Sequence, residues 1–105
     1  MAEKTEIYKL IYKTKIANIF QKNIRILGRY FFEKNKYKGR MIINNKMKPL
    51  KDEIKLEDAK EEEVIIKIIF FQRIKNKSFM FEDCISLTSI FQKEKYYIYD
   101  SIYIF

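Results

Sequence analysis

The first clear pattern along the chain is alternation. In EIYKLIYK, residues 6–13, Tyr8, Leu10 and Tyr12 fall on one side, with Ile7, Lys9, Ile11 and Lys13 on the other. A period of two with one wholly apolar side predicts a strand that buries that side. Residues 16–21 place Ile16, Ile19 and Phe20 at helical spacing, over too short a stretch to decide between helix and strand. NIRILG, 23–28, reads as a short strand stopped by Gly28, with Ile24 and Ile26 on one face. RYFFEKNKYKGR, 29–40, begins as an aromatic cluster, Tyr30, Phe31 and Phe32, expected to anchor under the sheet, and continues as a basic loop.

MIINNKMKPL, 41–50, carries a hairpin signal. Asn44-Asn45 tolerates the left-handed backbone of a two-residue turn, so Met41–Ile43 should pair with about Met47–Pro49. Pro49 restricts the second arm to an edge or ends it. KDEIKLEDAKEEE, 51–63, has only a thin apolar stripe and predicts a short surface helix or an acidic connector. EVIIKIIFF, 63–71, is the strongest strand, a near-continuous β-branched run of the kind buried on both faces. QRIKNK, 72–77, is a polar joint.

SFMFEDCISLTSI, 78–90, changes period within itself. Phe81, Cys84 and Ile85 lie at i, i+3, i+4, and Met80, Cys84 and Leu87 at i, i+4, i+7. Ser78 stands where a cap belongs, and 79–84 is expected to be a helix. From Ile85 the period becomes two. A short helix running into a short strand is the outline of a leucine-rich-repeat unit.

The run Met80, Phe81, Cys84, Leu87, Ile90 resembles the repeat core of the BspA-like leucine-rich repeat surface proteins. Upstream, Ile24–Gly28, Phe32–Lys36, Ile42–Lys46 and Val64–Phe71 are similar, in order and spacing, to the segment preceding the repeats in protist members. The resemblance covers about residues 7–90. It implies an amino-terminal cap over 1–77, one repeat unit over 78–91 and a divergent aromatic tail over 92–105. No second Met-Phe-x-x-Cys follows, and solenoid units rarely stand singly. The matching positions are structural, so the resemblance carries over no functional residue. The tail, with YYIYDSIYIF at its end, reads as a capping edge strand, as a segment that recruits another chain by strand addition, or as an aggregation-prone stretch.

At 105 residues the chain is sized for a single small core. Its Ile, Phe and Tyr content favours strands, and its Ile-Lys-Asn bias is also what an A/T-rich genome produces. The net charge of +8 is uneven: residues 1–49 hold 13 Lys/Arg against 3 Asp/Glu, and residues 50–105 hold 9 against 11. Lys34, Lys36, Lys38 and Arg40 with Tyr37 among them form a candidate anion or nucleic-acid patch, although no RNA-binding module signature accompanies them. The bland alternative is a solvated lysine-rich face.

The chain contains no histidine and one cysteine, Cys84. The commonest general base and metal ligand is therefore missing, and no intramolecular disulfide can form. Cys84, on an apolar stripe, reads as a structural thiol. The acidic set Glu57, Asp58, Glu61, Glu62 and Glu63 has no glycine-assisted turn of the kind a cation loop uses. No catalytic, cofactor-binding or metal-binding constellation is expected. Neither a signal-peptide core nor a membrane-spanning run is present, so the chain as written reads as cytoplasmic, with a surface location for full-length relatives of the resembled family.

The expectation is an α+β domain: a small, mostly antiparallel sheet from 6–13, 23–27, 41–48 and 64–71, with one or two short helices. Its expected function is non-catalytic protein–protein interaction, with an unidentified protein or with a second copy through the repeat end and tail. The rival is a small basic RNA-binding or ribosome-associated protein.

Overall fold

The computed structural model describes residues 5–14, 22–55 and 62–95. Its elements in chain order are β1 (Thr5–Lys13), β2 (Asn23–Arg25), α1 (Arg29–Asn35), β3 (Gly39–Ile43), β4 (Lys46–Pro49), β5 (Glu53–Lys55), β6 (Glu63–Phe70) and β7 (Leu87–Lys95). Five strands form one sheet in the order β4-β3-β6-β1-β7, and β2 pairs with β5 in a separate two-stranded ribbon. Every pairing is antiparallel. The architecture is a small α+β fold with one helix and a mostly antiparallel sheet.

The alternation in β1 sets the layering. Tyr8, Leu10 and Tyr12 face inward and are buried, across from Ile68, Ile66 and Val64 of β6. Ile24, Ile26 and Leu27 from the β2 side, Ile54 of β5, Phe31 of α1, Leu50, Ile74 and Met80 close over them. Tyr12 donates its hydroxyl proton to the Ile26 carbonyl at 2.6 Å, which ties the ribbon side to the centre of the sheet. The rings of Phe31 and Phe70 meet edge to face at 6.0 Å, and Phe70 meets Tyr8 in the same way.

β6 is central, but only half of the expected two-sided burial is found. Val64, Ile66, Ile68 and Phe70 are inside, and Ile69 is buried on the other face; Ile65 remains 46% exposed. The hairpin forms as its turn residues demand. Asn44 and Asn45 have φ of 54° and 62°, and Ile43 pairs with Lys46, one position from the expected register. β4 is an edge strand ending at Pro49.

Four expectations need correction. Residues 29–35 form a helix, in which Phe31 is buried, Phe32 half-buried and Tyr30 largely exposed, so Phe31 is the principal anchor. The buried Asn35 amide donates back to the Phe31 carbonyl at 3.0 Å and helps end the helix. Residues 53–55 are a strand, held in place by Arg25, which contacts Asp52 at 3.3 Å and Glu53 at 3.0 Å. Residues 23–25 join this ribbon, not the main sheet.

The fourth correction concerns 78–86. No helix forms over 79–84; the chain makes successive turns, with Met80, Glu82 and Cys84 donating three residues back. Phe79 and Asp83 have φ of 63° and 61°, left-handed values that interrupt any helical run. Asn76, not Ser78, supplies the capping oxygen, accepting from the Ser78 amide at 2.9 Å. Helical spacing in this stretch is thus satisfied by turns.

The strand half of 78–91 exists, as β7, but it runs on to Lys95 and lies antiparallel to β1. The β1–β7 ladder therefore joins residues on both sides of position 91 to the main sheet. A bulge at Thr88, whose hydroxyl donates to the Ile11 carbonyl, shifts the register between Ile11 and Tyr12. The expectations for 16–21, for Glu57, Asp58 and Glu61, and for tail residues 96–105 lie outside the described residues.

Candidate functional site

Two surfaces stand out, and both follow from how the elements meet. The first is a cleft of about 590 Å3 between α1 and the segment 72–79. Glycine makes this close approach feasible. The Gly28 amide donates to the Met80 carbonyl at 2.7 Å, and a Cβ at Gly28 would run into the Phe79 carbonyl oxygen. Phe71 donates to the Lys38 carbonyl at 2.9 Å and joins the end of β6 to the loop after α1. The segment that forms one wall is also tied to β1: the Glu6 carboxylate is 1% exposed and accepts from the Ile74 amide at 2.7 Å. The same carboxylate pairs with Lys77 at 2.7 Å and accepts from Gln92 at 3.4 Å. Hydrogen bonding to Glu6 is the first cause holding the Lys77 ammonium pKa above its ordinary value.

Lys34, Lys38, Arg73 and Lys75 line this cleft, and among the described residues no carboxylate does. All four are exposed, and among the described residues none forms an ion pair. Tyr30 and Phe79, 55% and 54% exposed, stand together edge to face at 5.8 Å, and the Lys34 ammonium lies 4.5 Å from the centre of the Tyr30 ring.

The basic patch read from the sequence is thus divided. Lys34 and Lys38 reach the cleft. Lys36 is paired with Glu33 at 3.3 Å and lies beside the exposed Tyr37 ring. Arg40 is opposite Ile69 and Pro49 and belongs to the outer face of the sheet. Arg73, Lys75, Tyr30 and Phe79 were not among the candidates, because some 40 residues separate the two walls and no local pattern links them.

The second surface is the β7 edge. β7 has nine residues and, among the described residues, pairs only with β1. Ile90 and Phe91 are 49% and 51% exposed. The opposite edge, β4, is four residues long and carries Lys46, Lys48 and Pro49, the residues that blunt an edge against further pairing. Of the repeat-core residues, Met80 and Cys84 are buried, Phe81 and Leu87 pack against the core, and Ile90 faces solvent.

Cys84 donates to the Glu82 carbonyl, and burial pushes its thiol from 9.0 up to about 12. At neutral pH it is therefore the protonated, weakly nucleophilic form. Among the described residues no three potential ligands converge on one point, and no helix is long and apolar enough to cross a membrane. A second cleft, near Lys48, Lys51 and Glu53, mixes both signs of charge, and its Asp52 and Glu53 are already engaged by Arg25. No family model matches the chain, and no curated protein or solved structure was found similar to it.

Proposed function

We propose that this protein is a non-catalytic protein-interaction module that docks through the β7 edge, with a second copy of the chain as the partner. The observation that carries this reading is the contrast between the two sheet edges: one short and protected by Lys and Pro, the other nine residues long with two half-exposed apolar side chains. A strand edge with no neighbour among the described residues offers a row of backbone donors and acceptors, and a two-fold pairing of like edges satisfies both at once. An antiparallel pairing of β7 centred on Phe91 sets Ile90 against Gln92 and Ser89 against Lys93, so these positions bring no like charges together. In its leucine-rich-repeat form, the same proposal has a following repeat strand occupying this edge instead.

Sedimentation velocity from 5 to 300 μM tests the reading. Dimerisation is expected within that range, with Phe91→Glu and Ile90→Lys each shifting the chain to monomer at unchanged thermal stability. A monomer throughout for the unmodified chain, or a dimer indifferent to both substitutions, refutes docking at β7.

A further inference from the structure

We propose that the cleft between α1 and residues 72–79 binds single-stranded nucleic acid, with Lys34, Lys38, Arg73 and Lys75 on phosphates and Tyr30 and Phe79 against bases. Four exposed cations face one cleft, and among the described residues that line it none is a carboxylate, so no described lining side chain neutralises their field. Two half-exposed rings stand within the same lining. A cationic groove with aromatic platforms is the physical recipe for holding a flexible single strand. The volume, about 590 Å3, lies in the range of preformed ligand sites.

Backbone strain is a second, independent observation. Phe79 holds φ of 63°, a conformation unfavourable for a large aromatic residue, and does so with its ring half in solvent. Ordinary packing does not require a strained residue to present an exposed ring. The Gly28–Met80 hydrogen bond locks it there, beside Tyr30. A pairwise edge-to-face contact leaves part of each ring free for a base.

The chemistry favours a single strand over other anionic partners. Three of the four cations are lysines, point charges suited to tracking a backbone; forked recognition of one phosphate group calls for an arginine cluster, and only Arg73 is present. A duplex keeps its bases stacked internally and offers Tyr30 and Phe79 nothing to stack on.

The test is fluorescence anisotropy of fluorescein-labelled dT12 and rU12 titrated with the full chain at 50 to 200 mM NaCl. With four phosphates neutralised, log K should fall against log salt with a slope of about −3, or about 50-fold over that range. Lys34→Glu combined with Arg73→Glu should remove binding. Tyr30→Ala and Phe79→Leu should each weaken it by about 5- to 100-fold. Leu at position 79 keeps the backbone demand and most of the bulk, so a loss there reports the ring. Lys46→Glu with Lys48→Glu, on β4, should change affinity by less than about 3-fold, since these residues contact no phosphate in this arrangement.

Absence of binding at 100 μM protein and 50 mM NaCl overturns the proposal. So does a 12-base-pair duplex bound as tightly as dT12, or affinity unchanged by both aromatic substitutions, which would leave only a general polyanion surface. Phosphatidylserine vesicles binding with the same dependence on Tyr30 and Phe79 while dT12 does not would assign the cleft to a membrane surface instead.

Discussion

Removing the Glu6 carboxylate should cost about 3 kcal/mol. Glu6 is core-facing on β1, 1% exposed, and gathers donors from two distant parts of the chain: Ile74 and Lys77 from the segment before the turns, and Gln92 from β7. In Glu6→Ala the buried Ile74 amide loses its acceptor at 2.7 Å, which costs ~1–3 kcal/mol. Lost side-chain packing adds ~1 kcal/mol. The ion pair itself adds little, because the Lys77 side chain is 42% exposed and can turn to water, so its share is ~1 kcal/mol or less.

Against a total stability of ~5–15 kcal/mol and a urea m-value of ~1–1.5 kcal/mol/M, the midpoint should fall by about 2–3 M. Far-UV circular dichroism is the suitable probe, since the chain has no tryptophan. Glu6→Gln, which keeps one acceptor oxygen but turns an amide N–H2 toward the remaining donors, should fall in between. Lys77→Met should cost ~1 kcal/mol or less. If Lys77→Met costs as much as Glu6→Ala, or Glu6→Ala costs less than ~0.5 kcal/mol, the buried amide is not what the carboxylate sustains and the reasoning fails.

Gly28→Ala should destabilise by about 2–3 kcal/mol, because the new methyl meets the backbone carbonyl of Phe79, which no rotamer change can move; an unaltered melting temperature refutes this. Asn45→Gly relieves the left-handed φ of 62° and should raise stability by about 0.3–1 kcal/mol, seen as a rise in melting temperature; a fall would mean the Asn side chain holds the turn in some other way. Alkaline stability should be lost from pH 9 upward. The Cys84 thiol ionises near 9.0 when unfolded but only at about 12 when folded, so above pH 9 the unfolded state releases its proton first and is favoured by ~1.4 kcal/mol per pH unit. Tyr12, held well above 10.0 by burial, adds to the loss beyond pH 10. Cys84→Ala should make the decline of the urea midpoint between pH 9 and 10 clearly shallower, leaving only the onset of the tyrosine contribution, and a decline as steep as in the unmodified chain would exclude the thiol as its source.

Much of the sheet was legible locally. The alternation of Tyr8, Leu10 and Tyr12, the β-branched run from Val64 and the Asn44-Asn45 turn each express a preference of a few neighbouring residues, and each element formed within a residue or two of its expected place. α1 was less legible because RYFFEKN is rich in aromatics of middling helix propensity; it is the burial of Phe31 against Phe70 that holds this short stretch as a helix. The stretch 78–86 misled in the opposite direction. Met80, Cys84 and Leu87 have helical spacing, yet the same three side chains reach the core from a series of turns once Phe79 and Asp83 adopt left-handed backbone angles.

By itself, then, the sequence determined the strands at β1 and β6, the inner face of β1 and the hairpin, since these follow from backbone geometry repeated over a few residues. Only the tertiary structure decided that β6 lies between β3 and β1, that β7 closes onto β1 and leaves its other edge unpaired among the described residues, and that Lys34 and Lys38 share a cleft with Arg73 and Lys75. Those choices rest on contacts between residues far apart in the chain. The total apolar area buried selects among many locally equivalent pairings, and no window of the sequence contains that sum.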